Sequence, residues 1–407
     1  MPENENHSQL ANDNVEKENI EKIESFEDPR LDLSENLLRG IYSYGFEKPS
    51  PIQQQAIYPL ILDNNRDVIG QAQSGTGKTG TFVISILKLI NFDDIYPQAV
   101  IIVPTRELAI QIQNVIIGIG EYCKVKVCCC IGGQNVQADI ELLQKGVHVV
   151  VGTPGRIYHM IKDTYFKLNR IKLLIIDEVD QMLDRGFKDQ LYEIFQLGFP
   201  LNVKIGLFSA TLKEDTLSIT KKFMKNPVII EVKKEEVNLE GIKQYYINVG
   251  KDEHKFSTLI DLYKCISLNL VIIYCNNKQK LMKLADELIS IKKEIDISFG
   301  VIHGDMDQDE RNKIMNQFKS GNYRILLSTD LLARGIDIQQ LSLVINYDIP
   351  INRENYMHRI GRTGRYGRKG VALNFITDRD GFAVKDIEEF YHIHIQELPD
   401  QIEQIFM

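Results

Sequence analysis

Short apolar runs recur along the chain, and segments with helical spacing separate them. In the first half the runs are Asp67–Gly70, Ala99–Val103, Val125–Cys130, Val147–Val151, Leu173–Ile176, Lys204–Phe208 and Val228–Val232. Most are continuous, not alternating, as in strands covered on both faces of a parallel sheet. Strands alternating with helices predict an α/β domain. A second series follows at Tyr245–Val249, Leu270–Tyr274, Ile297–Ile302, Ile325–Ser328, Leu343–Ile345 and Val371–Phe375. Between the two series, Lys233 to Gly241 is charged and short of large apolar residues, which marks a linker. The expected organisation is an acidic tail over 1–24, a domain over 25–233, a linker over 234–241 and a second domain over 242–407. No repeat of 20–50 residues links the halves. They can share a fold without sharing motifs.

The bulk numbers fit this picture. A length of 407 residues suits two or three domains, and 43% hydrophobic with 26% charged content suits a globular chain. No apolar run approaches the roughly 20 residues needed to span a membrane. The N-terminus is polar and acidic, unlike a secretory signal. A cytoplasmic home is expected, with the nucleus as the alternative. The six cysteines agree with a reducing compartment. Cys128, Cys129 and Cys130 are consecutive, which is wrong for a zinc site and suits a buried strand using cysteine as a small hydrophobe.

The net charge of −8 argues against a global attraction to nucleic acid, but its distribution matters. Residues 1–24 hold seven acids and two lysines, so the tail carries −5 and the rest only −3. The tail composition is that of a disordered segment. Nucleic-acid contact would have to come from local basic clusters.

The richest chemistry lies in Ala72-Gln73-Ser74-Gly75-Thr76-Gly77-Lys78-Thr79. A strand leads in, and the periodic run Phe82, Ile84, Ile86, Leu87, Leu89, Ile90 leads out as a helix. Glycines turn backbone N–H groups toward phosphates, and the helix N-terminus adds its positive end. Lys78 would reach the β- and γ-phosphates, and the Thr79 hydroxyl would ligate magnesium. The strict motif begins with glycine, where this chain has Ala72. A hundred residues later Asp177-Glu178-Val179-Asp180 closes the apolar run Leu173–Ile176. Asp177 suits the magnesium shell. Glu178, pointing elsewhere if side chains alternate, could orient or deprotonate an attacking water. Together the motifs predict hydrolysis of a nucleoside triphosphate.

Further phrases extend the pattern. They are Ser209-Ala210-Thr211, Gly45 to Gln53, His303 to Gln308, Asp330 to Asp337, and His358 to Arg365 with its arginines at three-residue spacing. In content and order these motifs resemble the DEAD-box RNA helicases, over roughly residues 26–400, with several phrases nearest the translation-initiation branch. The family has Ala where this chain has Val179.

The resemblance implies two RecA-like domains, ATP and Mg2+ as cofactors, and RNA as a partner. Phe46 would pack on adenine beside Lys48, and Gln53 would read its edge. Ser50-Pro51-Ile52-Gln53 also fits a helix capping box, so Gln53 has two candidate roles. Phe26 matches an upstream aromatic, with a core role equally open. Gln73 to Thr79 would hold the phosphates. Ser209 and Thr211 would bond Asp180 and His358 and couple the nucleotide to RNA. Asp337 would bind the ribose, and Arg362 and Arg365 would reach the γ-phosphate from the second domain. A plain basic RNA-binding loop is the rival for that arginine run.

RNA contacts would come from Pro104, Thr105, Arg106, Gly132, Gly133, Thr153, Pro154, Gly155, Arg156, Arg311, Thr329 and Arg334. Backbone amides and small residues there suit phosphate contact without base reading. The resemblance thus implies an RNA-stimulated ATPase that separates duplexes locally as a monomer, helped by partners such as translation initiation factors. The rivals are an ATP-gated RNA clamp in a nuclear particle and an ATPase with no nucleic-acid partner.

Overall fold

A computed structural model describes residues 22–62, 66–73, 76–212, 214–232, 242–265, 270–292, 295, 297–330, 341–361, 363, 370–391 and 393–399. The chain forms two seven-stranded sheets, every strand pair parallel, with helices on both faces.

The first sheet holds β1 Val68–Gln71, β2 Ala99–Ile102, β3 Val127–Cys130, β4 Val149–Gly152, β5 Leu173–Ile176, β6 Lys204–Ser209 and β7 Val228–Glu231. Its spatial order is β3-β4-β2-β5-β6-β1-β7. The second holds β8 Ile242–Gly250, β9 Val271–Tyr274, β10 Phe299–Ile302, β11 Ile325–Ser328, β12 Leu343–Asn346, β13 Gly370–Thr377 and β14 Gln396–Glu397. Its order is β10-β11-β9-β12-β13-β8-β14. Counted from its own first strand, the second sheet repeats the order of the first. The α/β class, the parallel sheets and all thirteen expected strands are present, with ends shifted by up to three residues. The two-residue β14 is too short to carry a periodic signal.

Continuous apolar runs arise because each strand feeds two cores. Ala99, Ile101, Leu173 and Ile175 pack in one cluster, while Val100, Ile102, Leu174 and Ile176 pack in the cluster on the other face. In the second sheet Val271 and Ile273 alternate in the same way with Ile272 and Tyr274. Successive side chains point to opposite faces, so a sheet covered twice needs apolar residues at every position.

Cys128 and Cys130 are fully buried on one face of β3, with their sulfurs 3.6 Å apart. Burial pushes the Cys129 thiol up to about 12, so it stays an inert thiol. The linker 234–241 lies outside the described residues, as does all of the acidic tail before Lys22. Packed chain begins inside the expected tail, not at residue 25. Ile23 is fully buried, and its N–H donates to the Gln54 carbonyl at 3.0 Å. One isoleucine in an acidic segment is too weak a signal to move a boundary read from composition.

Candidate active site

The strand order divides the first sheet at its C-terminal edge, where ligands of parallel α/β sheets bind. The adjacent strands β5, β6 and β1 deliver the Asp177 turn, Ser209–Thr211 and the phosphate loop to one side. The adjacent strands β3, β4 and β2 deliver Gly132–Gly133, Thr153–Arg156 and Pro104–Glu107 to the other. The expected nucleotide and RNA residues are thereby sorted into two neighbouring sites.

In the phosphate loop, Ser74 and Gly75 lie outside the described residues. Gly77 caps the helix Lys78–Leu89 with φ +104°, a conformation that favours glycine. A Cβ at Gly77 would meet Ser50 Oγ at 2.4 Å, and one at Gly80 would meet Gln53 Nε2 at 2.5 Å and the Phe46 ring at 2.8 Å. These two glycines let Phe46 and Gln53 press against the phosphate-loop helix. Ala72 needs no such freedom. Its methyl is buried in the core, and it is not among the residues with positive φ. The departure from the strict glycine motif is therefore tolerated. Thr76 Oγ1 donates to the Gln73 carbonyl at 2.7 Å, and Thr79 is half-buried on the first turn.

Gln53 is engaged inside the protein. Its Oε1 accepts from the Ser50 N–H at 2.8 Å, and its Nε2 donates to the Gly77 carbonyl at 3.4 Å. It ties the start of the helix Pro51–Ile61 to the phosphate loop. Phe46 is half-buried beside Tyr44, with ring centroids 5.3 Å apart, and Lys48 is exposed. Phe26 is a core residue, buried against Tyr42.

Lys78 is buried and donates to the Ala72 carbonyl at 2.8 Å, with its Nζ 4.0 Å from Glu178 Oε1. Glu178 does not continue the alternation of β5. The strand ends at Ile176, and Glu178 turns into the left-handed region at φ 55° before the helix Val179–Asp184. A non-glycine residue there is sterically costly and marks a position held by its surroundings. That turn aims its carboxylate at Lys78. Asp177 is buried, and its Oδ1 accepts from the Glu178 N–H at 2.9 Å. Burial pushes the Asp177 carboxyl up to about 7. The Lys78 charge opposes this, and the Glu178 carboxylate adds to it. Asp177 thus feels one ammonium, Lys78, and two further carboxylates, Glu178 and Asp180, a set of hard oxygens short of positive charge. That fits a magnesium ion.

Thr211 Oγ1 donates to Asp180 Oδ2 at 3.4 Å. Ser209, expected on Asp180 or His358, instead donates to the Thr211 carbonyl at 2.6 Å and braces its own turn. Val179 is fully buried among Ile176 and Met182, so its added methyls fill core and do not line the site.

In the second lobe, Arg334, Asp337, Arg362 and Arg365 lie outside the described residues. His358 is buried on the helix Arg353–Ile360. Arg359, the first arginine of the three-residue series, is no solvated cation. It is fully buried, with Nε 2.5 Å from Asp330 Oδ1, and it also donates to the Asp348 carbonyl at 2.7 Å and to Asn276 Oδ1 at 2.8 Å. It fastens its helix to the strand ends.

The second site is a groove of about 550 Å³ lined by Pro104, Thr105, Arg106, Gly132, Thr153, Gly155, Arg156 and, from the second lobe, Arg311. Gly133 has φ +80°, and a Cβ there would lie 2.6 Å from Arg106 Nη1, so the glycine pair makes room for that guanidinium. Pro154 is buried at the start of the helix Pro154–Lys162, and Thr329 is half-buried after β11. Arg311 crosses between the lobes. Its Nη1 lies 2.8 Å from Glu107 Oε1, and its Nη2 donates to the Gly304 carbonyl. Sequence reasoning missed His159, Arg185, Phe187 and Gln190, which also line the groove. His159 sits four residues after Gly155 on one helix, so helical spacing alone could have found it.

Comparison with known proteins decides the family. Residues 50–219 match the DEAD/DEAH box helicase family, and residues 254–367 match the helicase conserved C-terminal domain. The chain is 54% identical over 382 residues to eukaryotic initiation factor 4A of Drosophila melanogaster, covering 94% of this chain and 93% of the relative. The chain belongs to the DEAD-box helicases.

Among other members, the ATP-dependent RNA helicase eIF4A of Schizosaccharomyces pombe is 50% identical over 394 residues, covering 97% of this chain and 98% of its own. The fold matches Saccharomyces cerevisiae Dbp5 bound to RNA and ADP BeF3 with a TM-score of 0.83 at 33% identity, covering 94% and 98% of the two chains. Mss116p bound to ssRNA and AMP-PNP matches with a TM-score of 0.81 at 28% identity, covering 94% and 81%. The two sheets are thus the two RecA-like domains of a DEAD-box helicase. No helix among the described residues is long and apolar enough to cross a membrane.

Proposed function

We infer that this chain is an RNA-stimulated ATPase that uses ATP to separate short RNA duplexes in translation initiation. The observation that carries the reading is the placement of Lys78, Asp177 and Glu178 around one buried point, beside a groove that both lobes line. Family membership and the initiation-factor relatives support it.

This reading gives each residue a role. Phe46 flanks the base and Gln53 reads its edge, so base recognition acts directly on the phosphate loop that Gln53 already holds. Gln73 to Thr79 cradle the phosphates, and Lys78 neutralises their charge. Thr79 and Asp177 would hold Mg2+, which supplies charge neutralisation at the phosphates. Glu178, fixed by its left-handed turn, accepts a proton from the attacking water. Asp337 binds the ribose, and Arg362 and Arg365 approach the γ-phosphate from the second lobe, where transferring oxygens accumulate negative charge. The Thr211–Asp180 bond passes nucleotide state toward His358. The groove takes the RNA backbone with no base reading. The protein acts as a cytoplasmic monomer with translation initiation factors as partners.

A strand-separation assay with a short RNA duplex tests this. ATP should drive separation and a nonhydrolysable analogue should not turn over. ATP hydrolysis without any strand separation would refute the helicase reading.

A further inference from the structure

Arg156 looks, from its motif, like a phosphate-binding arginine. Its surroundings say otherwise. Its side chain is only 8% exposed. Nη1 lies 2.5 Å from Asp139 Oδ2, and Nη2 donates to the Gln134 carbonyl at 2.9 Å. Asp139 is itself buried, in the first turn of the helix Val136–Lys145. The guanidinium therefore joins three elements: its own helix Pro154–Lys162, the helix of Asp139, and the loop of Gly132, Gly133 and Gln134. That loop is the one against which Arg106 lies.

The Asp139 carboxylate offsets the charge of the Arg156 guanidinium, and the carboxylate and the Gln134 carbonyl engage one N–H on each of its terminal nitrogens. Both arginines line the groove, but Arg106 lies against the two glycines whereas Arg156 is paired with Asp139. We propose that Arg156 is a positioning residue of the RNA groove, which holds the Gly132–Gln134 loop through Asp139 and the Gln134 carbonyl and makes no contact with RNA phosphate. The proposal rests on the reading of this groove as the RNA site.

The two roles predict opposite signs for the partner carboxylate. If Arg156 contacted phosphate, removing the Asp139 charge would free it and tighten RNA binding. If Arg156 positions the loop, removing that charge loosens the loop and weakens binding. The test measures the affinity of the full chain for fluorescent single-stranded RNA across a potassium chloride series, with a nonhydrolysable ATP analogue present. Asp139→Asn and Arg156→Met should each raise the RNA Kd about tenfold, the scale of one lost charged hydrogen bond. The slope of log affinity against log salt should stay at the wild-type value. Arg156→Lys should recover part of the loss.

Tighter binding by Asp139→Asn, or a salt slope shallower by about 0.7 in Arg156→Met, the signature of one lost phosphate on a single strand, would overturn the proposal. Affinity for the ATP analogue is read in parallel. Should Arg156→Met fail to fold, the sign of the Asp139→Asn effect and the Arg156→Lys slope still decide. Absence of RNA binding by the wild-type chain would sink the groove reading itself, an outcome distinct from either result.

Discussion

The two lobes have the same strand order, yet a different charge balance at the same place. In each, a lysine opens the helix after the first strand, Lys78 after β1 and Lys255 after β8. In each, that lysine faces a carboxylate just past the fifth strand. In the first lobe Lys78 stands 4.0 Å from Glu178, and the buried Asp177 feels the Glu178 and Asp180 carboxylates against the single Lys78 charge. In the second, Lys255 sits 2.7 Å from Asp348 Oδ1, Lys280 sits 2.9 Å from it, and both also bond Asp252. Burial alone would raise the Asp348 carboxyl, but the hydrogen bond and charge of Lys255, then the hydrogen bond of Lys280, hold it below the ordinary range. One lobe keeps an electrostatic deficit that a metal–nucleotide complex can fill. The other closes its own charges into a four-membered cluster. The same frame thus serves binding in one copy and rigidity in the other.

Exchanging each lysine for a neutral residue breaks the comparison most strongly. Lys78→Ala should lose ATP binding altogether, because the phosphates lose their main cation. Lys255→Ala should leave Asp348 with Lys280 as its one remaining cation and destabilise the fold, by less than the roughly 3–5 kcal/mol of a fully stranded buried charge. ATP affinity should survive while the folded state persists. Nucleotide binding by equilibrium titration and calorimetric unfolding separate the two effects. Equal loss of ATP affinity in both would erase the distinction.

A pH series sharpens the contrast. Asp177 has a folded-state pKa above its unfolded value, so its contribution to stability is present at low pH and is lost as pH rises from about 4 through about 7. Asp348 and Asp252 are held low, Asp252 at about 2, because of their hydrogen bonds to lysine. Their contribution is present above pH 4 and is lost as pH falls toward 2. Calorimetry should show the first lobe gaining most from added magnesium and ATP near pH 7 and above. The second lobe should be the more acid-sensitive one. Matching pH profiles in the two lobes would contradict the assignment.

Val179→Ala has the smallest expected effect. It removes buried methyl volume and should cost roughly 2 kcal/mol while leaving the ATP hydrolysis rate near wild type. A large change in rate would mean that this side chain touches the site after all.

Much of this was legible in the sequence. Continuous apolar runs gave the strands, since sheets covered on both faces leave no alternation. Ala72 to Thr79 and Asp177–Glu178 gave the candidate nucleotide site, since phosphate and metal chemistry need those groups at strand ends. What sequence could not supply was the partner of each polar group. Arg156, Arg311 and Arg359 read as cations for RNA or phosphate, yet Asp139, Glu107 and Asp330 hold them. Those pairings join segments 17 to 204 residues apart, and periodicity carries no such information. The turn of Glu178 was hidden too, because strand alternation assumes that the strand continues.

Phosphate release by the wild-type chain and by Glu178→Gln, each with and without single-stranded RNA at saturating ATP and magnesium, tests the central claim most directly. Wild type should accelerate strongly with RNA. Glu178→Gln should bind ATP and RNA normally and turn over about 10²- to 10⁴-fold more slowly. A Glu178→Gln rate equal to wild type, or a wild-type rate indifferent to RNA, would contradict the account.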